Sequence, residues 1–495
     1  MRLTPMRALV AAGLTVGAIE RIVVWRSGLG RLDGDEAVWG LMARHVLDGE
    51  FPAFFWGQAY GGTLETFLTA PALALFPSSV VALRTISVLL TLVAVYLVWR
   101  VGRRTIGEPA ATAAAVLFWI WPSYSIWKSI RAHGFYGSGL VLCLLLLLLA
   151  LRIAERRSRP DAVLLGLVLG VAGWQTGQIA PIAVGSLAWL VWRRPSCLRD
   201  LPYVLAAAVV GFAPWIVSNL RHDWWSFTFP PGGGTYPTRF RGFVDGTLPM
   251  QIGVRIPFSQ TWIGGALVGG TLLFAAYALF AWIGARRLKE PFGLLVVVAV
   301  VYPFVSALST FTWLVDEPRY VYVLSPVLAL LVGSLLTSWR RALVALAAAT
   351  VISVTGLVTM GHSAQYRLRA DGTYVPADFR PLVRALDRFG IDRVYADYWV
   401  AYRLTFETRE RIIAAQSPQE VYRREGARKV IAVPTFLRYP PYDPIVRNSS
   451  RPGHVVLRGS ADEANLDVDL LRRAGYRRSV AGRFVIWYLP ERILR

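Results

Sequence analysis

Charge and cysteine are what this 495-residue sequence has least of. Asp, Glu, Lys and Arg make up only 17% of it, against about 25% in an ordinary soluble protein, which argues against a purely cytosolic enzyme. Its two cysteines, Cys143 and Cys197, cannot build a disulfide scaffold. Lysine is nearly missing too. Of 53 basic residues only Lys128, Lys289 and Lys429 are lysines, which, with abundant Ala, Gly and Val, reads as the imprint of a GC-rich bacterial genome.

What is present is hydrophobic, 55% of residues, gathered into long runs that stop near residue 360. Runs of about 16–22 residues match a bilayer core. Eleven candidate spans follow, at 8–25, 79–99, 109–122, 136–151, 161–174, 178–192, 201–219, 260–283, 292–312, 320–337 and 341–360. Alternate connections are short and rich in arginine, among them Arg100, Arg103 and Arg104, then Arg152, Arg156, Arg157 and Arg159, then Arg193, Arg194 and Arg199. Basic short loops mark the cytoplasmic side, so the N-terminus is expected inside and everything after about residue 361 outside. No small-residue cleavage pattern follows the first run, which reads as a retained span. Much of the formal +22 charge is therefore a topology signal, and nucleic-acid binding is not expected. The predicted fold class is a polytopic α-helical membrane protein of about eleven transmembrane helices. Its expected domains are a catalytic bundle at 1–361 and an extracytoplasmic α/β domain at 362–495.

Two outer connections exceed what a connector needs, and long structured loops on one face usually build a site. In 26–78, stretches 36–48 and 63–75 look like amphipathic interfacial helices. In 220–259, Pro230-Pro231-Gly232-Gly233-Gly234 reads as a flexible hinge. The tail is expected to hold a helix at 376–389 ended by Gly390, strands at 394–398 and 429–433, and between them a helix opened by the capping box Ser417-Pro418-Gln419-Glu420 and closed by Gly426. A strand at 455–458, a helix at 461–474 and a hairpin strand at 483–489 complete it. The tail carries no nucleotide loop, metal cluster or nucleophile motif.

Five stretches could carry chemistry. Asp33-Gly34-Asp35-Glu36 lies just beyond the first span. A carboxylate there can act as a general base toward a hydroxyl, or Asp35 can simply cap a helix starting near Glu36. In Asp316-Glu317-Pro318-Arg319-Tyr320 the arginine either snorkels to headgroups or grips a phosphate. Lys128, Arg131 and His133 put cations on the outer side, where topology does not require them, and favour anion binding. Trp56, Gln58, Tyr60 and Glu65 offer aromatics beside an amide and an acid, a plausible sugar surface, though belt aromatics look the same. Gln175 and Gln178 form a polar turn that must face protein or a wet cavity.

An Asp-Glu pair after span one, Arg84 at the start of span two and Pro318-Arg319-Tyr320 before a late span together resemble the GT-C glycosyltransferases. More narrowly, the chain resembles the branch of bacterial protein O-mannosyltransferases and lipid A aminoarabinose transferases. The likeness covers about 1–361. It implies a polyprenyl-phosphate-sugar donor and, as acceptor, an envelope glycan, glycolipid or protein. It implies an acidic pair in which Asp35 is the base with Glu36 beside it. It places the donor phosphate on Arg319 with Tyr320, and on Lys128, Arg131 and His133. Several relatives carry a second acid between spans three and four; this chain has Arg131-Ala132-His133-Gly134 there, with Glu65 the nearest substitute, so a divalent cation stays open. The implied reaction is inverting transfer at the outer face of a bacterial plasma membrane. A transporter or lipid flippase is the alternative from another class. It predicts internal repeats and midplane charges, and the sequence displays neither. A non-enzymatic scaffold would leave the clustered charges unexplained.

Overall fold

A backbone inside lipid must satisfy its own N–H and C=O groups, so long apolar runs become helices. In the computed structural model each of the eleven predicted spans contains one. The structure describes residues 4–228, 232–363, 378–417, 421, 424–425, 428–429 and 437–490. Six helices are long and apolar enough to cross a membrane by length and composition, Pro5–Arg26, Val80–Thr105, Phe135–Glu155, Pro195–Arg221, Ala266–Arg287 and Trp339–His362. The others at predicted spans are shorter: Glu108–Ile120, Arg159–Gln175, Ala180–Arg193, Pro291–Ser306 and Ser325–Gly333.

In two predicted spans the helix begins later than the apolar run does. The run at 260–283 becomes a helix only at Ala266, because Gly264 and Gly265 take φ of +72° and +91°. The run at 320–337 narrows to Ser325–Gly333 behind a single 3-10 turn at Tyr322–Leu324, with Pro326 at the helix start. Proline at that position cannot supply an N–H to an earlier turn and so fixes where the helix begins.

The chain forms two compact units. One gathers Met1–Gly30, Ala59–Glu65 and Arg84–Gly361; the other gathers Arg31–Gln58, Thr66–Leu83 and His362–Arg495. In the first, the Arg159–Gln175 and Leu201–Arg221 helices pack backbone to backbone. A Cβ at Gly166 or Gly170 would meet the Val204 or Ala208 carbonyl oxygen at 2.1 Å, and one at Gly211 the Leu167 oxygen at 2.4 Å. Small residues four apart are what let membrane helices approach this closely.

The second unit is built on a mixed sheet. Strands β1 (Arg393–Ala396), β2 (Ile413–Gln416), β5 (Gly453–Leu457), β6 (Arg477–Ala481) and β7 (Phe484–Tyr488) lie in the order β2-β1-β5-β7-β6. A two-residue pair, β3 (Arg424–Glu425) and β4 (Arg428–Lys429), stands apart. β1 pairs in parallel with β2 and β5, while β7 is antiparallel to β5 and β6. Val394, Ala396, Val455, Leu457, Phe484 and Ile486 face a core closed by Leu382 and Leu386 of the Arg380–Arg388 helix and by Val400 and Leu404.

Gly390 takes φ +63° just past the Arg380–Arg388 helix, as expected of a terminator. The strand expected at 394–398 stops at Ala396, because Asp397 caps a helix, Tyr398–Glu407, that the sequence reading missed. The helix expected at 461–474 is broken into Ala461–Asn465 and Val468–Arg473 by Leu466, which leaves the helical conformation, and by Asp467, which caps the second piece. Pro230 and Pro231, residues 418–420, Gly426 and residues 430–433 lie outside the described residues, as does the start of the helix expected at 376–389.

The two stretches expected as interfacial helices are helices, Gly34–Leu47 and Leu64–Leu75. The first does not lie exposed. Ten of its 14 residues are buried, and it packs against Tyr398–Glu407 within the second unit.

Candidate active site

One polar cluster of the bundle unit is built around Glu317 and Arg319. Glu317 is 5% exposed. Arg319 donates to its Oε1 through Nε at 2.7 Å and through Nη2, and the Tyr124 hydroxyl donates to Oε2 at 2.7 Å. Burial alone would push the Glu317 carboxyl up, but Arg319 and Lys128 outweigh it and hold it below the ordinary carboxylate range. Tyr320 follows directly, half-buried, its carbonyl accepting from the Tyr302 hydroxyl at 2.8 Å.

Lys128 closes the short Ser123–Ser129 helix and is 6% exposed. Its Nζ sits 3.8 Å from the centre of the Tyr136 ring and 2.8 Å from His133 Nδ1. An ammonium can only donate, so this imidazole nitrogen accepts and the ring proton resides on Nε2. Arg131, 2% exposed, points elsewhere and donates Nη1 to the Leu29 carbonyl at 3.0 Å. These three cations thus have different partners. Lys128 and Arg319 both act on Glu317, whereas Arg131 binds a main-chain carbonyl.

Glu65 and Gln175 form a second buried set in the same unit. Glu65 Oε1 accepts from the Ser138 backbone N–H at 2.7 Å and its hydroxyl at 2.9 Å, and Gln175 Nε2 donates to that hydroxyl at 2.8 Å. Burial pushes the Glu65 carboxyl up to about 7, although the Ser138 hydrogen bonds and Lys128 draw it down. Gln178 is half-buried, with its Oε1 lacking a hydrogen-bond partner. Tyr60 lies 4.9 Å from Phe311, ring to ring.

In the second unit the acidic tetrad opens the Gly34–Leu47 helix. The cap is Asp33, not Asp35: its Oδ1 accepts from the Glu36 N–H at 2.9 Å. The helix therefore starts two residues earlier than the sequence reading placed it, at Gly34, and Asp35 is released from capping. Asp35 is half-buried and accepts a hydrogen bond from the Tyr398 hydroxyl. Glu36 is fully buried.

Trp56 is buried rather than displayed, stacked on Tyr439 with centroids 4.1 Å apart. Gln58 is half-buried, its N–H donating to the Phe55 carbonyl at 3.1 Å. Beside Trp56 is a clasp that sequence reasoning did not find. His45 lies between Glu410 (Nε2 to Oε1, 2.8 Å) and Glu50 (Nδ1 to Oε1, 3.0 Å), and Arg44 pairs with Glu410 at 2.9 Å. Tyr442 and Tyr439 donate to the same two carboxylates. Partners 365 residues apart in the chain leave no local pattern to read. For Tyr398 a signal existed: Asp397 before a run with apolar residues at helical spacing.

The family profile described as dolichyl-phosphate-mannose-protein mannosyltransferase matches residues 64–217. No curated protein sequence matches the chain. Among solved structures, ArnT from Cupriavidus metallidurans bound to undecaprenyl phosphate is 14% identical, with 97% of each chain covered and a TM-score of 0.59. Its apo form is 15% identical, with the same coverage and a TM-score of 0.59. The archaeal oligosaccharyltransferase AglB from Archaeoglobus fulgidus, in complex with an inhibitory peptide and a dolichol-phosphate, is 13% identical with a TM-score of 0.50, covering 91% of this chain and 69% of that one. With its apolar helices, its small C-terminal sheet and a likeness that runs over nearly its whole length, the chain is a multi-pass membrane protein with the GT-C glycosyltransferase fold.

Proposed function

We propose that the protein is a membrane glycosyltransferase that moves a sugar from a polyprenyl-phosphate donor to a hydroxyl of an envelope glycan, glycolipid or protein. The observation that carries this is the polar cluster of Tyr124, Lys128, Glu317 and Arg319, in a bundle whose fold is shared with a protein crystallised on undecaprenyl phosphate. A prenyl phosphate suits a bilayer enzyme, because its chain stays in lipid while its phosphate rests at headgroup depth. Arg319 uses Nε and Nη2 on Glu317, and a guanidinium carries five N–H donors, so the fork keeps donors for a phosphate oxygen. Lys128 adds a second positive charge, and His133 steers its ammonium.

In the proposed reaction the acceptor hydroxyl attacks the anomeric carbon as the bond from that carbon to the phosphate oxygen breaks. Asp35 takes the hydroxyl proton, and the departing lipid phosphate keeps the electron pair as an anion stabilised by preorganised cations. A single displacement inverts the anomeric centre. Glu36 accompanies Asp35 on the same helix turn. Trp56, Gln58, Tyr60, Glu65, Gln175 and Gln178 remain proposed contributors to sugar and acceptor recognition. We place the enzyme in a bacterial plasma membrane, N-terminus in the cytoplasm and C-terminal domain outside. The fold favours this reading over a transporter or lipid flippase.

The test is to incubate purified protein with a panel of radiolabelled polyprenyl-phosphate sugars and envelope extract, with and without chelator. Transfer or donor hydrolysis with at least one donor is expected, and the chelator arm reports on a divalent cation. Turnover of none of them would overturn the assignment.

A further inference from the structure

Tyr398 stands at the carboxyl end of β1. From there the chain runs through the Tyr398–Glu407 helix to β2, while β5 pairs on the other side of β1. Open α/β sheets hold their working groups at such points, beyond the carboxyl ends of strands where neighbouring connections diverge. Here the group presented is a phenol, and its hydroxyl donates to Asp35 Oδ1.

The ring is held on several sides. It meets Trp399 edge-on at 4.9 Å and Tyr402 at 5.2 Å, and the Arg438 guanidinium lies 5.6 Å from its centre. Tyr398 is 2% exposed. Burial first, then the Asp35 carboxylate, hold the phenol well above the ordinary tyrosine range, so it remains a neutral donor. Gly34 makes room for it, since a Cβ there would sit 3.1 Å from Tyr398 Cε1 and 3.3 Å from Trp399 Cα. The glycine inside Asp33-Gly34-Asp35 is thus explained by a partner 363 residues away from Asp35.

We propose that Tyr398 is a positioning residue for the transfer reaction: by occupying Oδ1 it fixes the Asp35 carboxylate and leaves Oδ2 to receive the acceptor proton. This rests on the reading of Asp35 as base. The choice of partner matters chemically. An arginine or lysine in the same place would neutralise the carboxylate, whereas a phenol orients it and leaves its negative charge available. The C-terminal domain, which the sequence alone left without a role, then acts on the reaction through Asp35, a residue of its own unit.

The experiment compares Tyr398→Phe, Asp35→Asn and the double variant, all in the full-length purified enzyme. Tyr398→Phe keeps the ring contacts and removes one hydrogen bond, so kcat should fall about tenfold, with donor KM and thermal midpoint unchanged. In the Asp35→Asn background the same change should do nothing further, because the group it positions is gone. Wild-type kcat in Tyr398→Phe would overturn the proposal. So would a full additional loss on top of Asp35→Asn, or a loss of kcat accompanied by a lower thermal midpoint, which marks a packing role. Wild-type turnover in Asp35→Asn would instead overturn the base assignment beneath it, a separate failure with its own readout.

Discussion

The two units treat an acidic side chain in different ways. In the bundle, Glu317 receives a guanidinium and a phenol, so its charge is cancelled locally. In the second unit Asp35 receives a phenol from Tyr398. The first arrangement suits a site that holds a preset cation for an incoming anion; the second suits a carboxylate that must still accept a proton. A charge can therefore be built in or kept in reserve, and the partner's charge tells which.

The largest expected effect separates these roles. Asp35→Asn should leave a folded protein whose turnover falls about 10²–10⁴-fold, the usual loss for removing an acid–base group. Unchanged turnover would erase the distinction. Arg319→Ala should act on binding, weakening donor affinity about 10–100-fold, the size of a lost charge-assisted hydrogen bond, with the kcat of saturated enzyme changed much less. It should also lower stability, since it strips the guanidinium from a Glu317 side chain that is only 7% exposed. Equal donor affinity in titrations of the two proteins would remove Arg319 from the phosphate site.

A third change tests how tightly the second unit is joined. A Cβ on Gly40 would meet Phe406 Cε2 at 2.4 Å, so Gly40→Ala should cost about 1–3 kcal/mol through overpacking, read as a lower unfolding midpoint. No loss would mean that the Gly34–Leu47 and Tyr398–Glu407 helices separate easily.

The smallest effect is a pH dependence of the His45 clasp. Burial lowers the His45 value, but the hydrogen bonds its ring donates to Glu410 and Glu50 outweigh burial and raise it above 6.5. Its contribution is therefore complete below the ordinary histidine range and lost as pH climbs through the raised value. Glu410 is the reverse: burial raises it, His45, Tyr442 and Arg44 outweigh burial, and it sits below 4.5. Its contribution is complete above the ordinary carboxylate range and lost as pH falls through the lowered value. Unfolding of the second unit should show a plateau between these limits, and His45→Gln should abolish the alkaline decline. A decline that persists in that variant would place the titrating group elsewhere.

Long apolar runs and arginine-rich loops made the helices legible, because the bilayer punishes any other backbone solution and the charge bias is local. Their trimmed ends were harder: Gly264 and Gly265 look permissive in sequence, and only their positive φ shows that they stop a helix. Which acid of the tetrad at 33–36 caps the helix could not be read from sequence, since Asp33 and Asp35 are chemically equal cap candidates and only the hydrogen bond from the Glu36 N–H to Asp33 separates them. Tyr398 and Glu410 were hidden for a different reason. Their partners are Asp35 and His45, and pairings that cross more than 350 residues leave no periodicity behind.

Those long-range pairings also impose an order on biosynthesis. The Gly34–Leu47 helix leaves the ribosome more than 350 residues before Tyr398–Glu407, the helix that packs on it. Until then a largely apolar helix waits uncovered, a liability for aggregation. Loop closure over such a distance is slow as well. Ribosome-stalled chains ending before residue 398 should therefore be cut by protease near residue 40, and chains carrying the complete tail should resist.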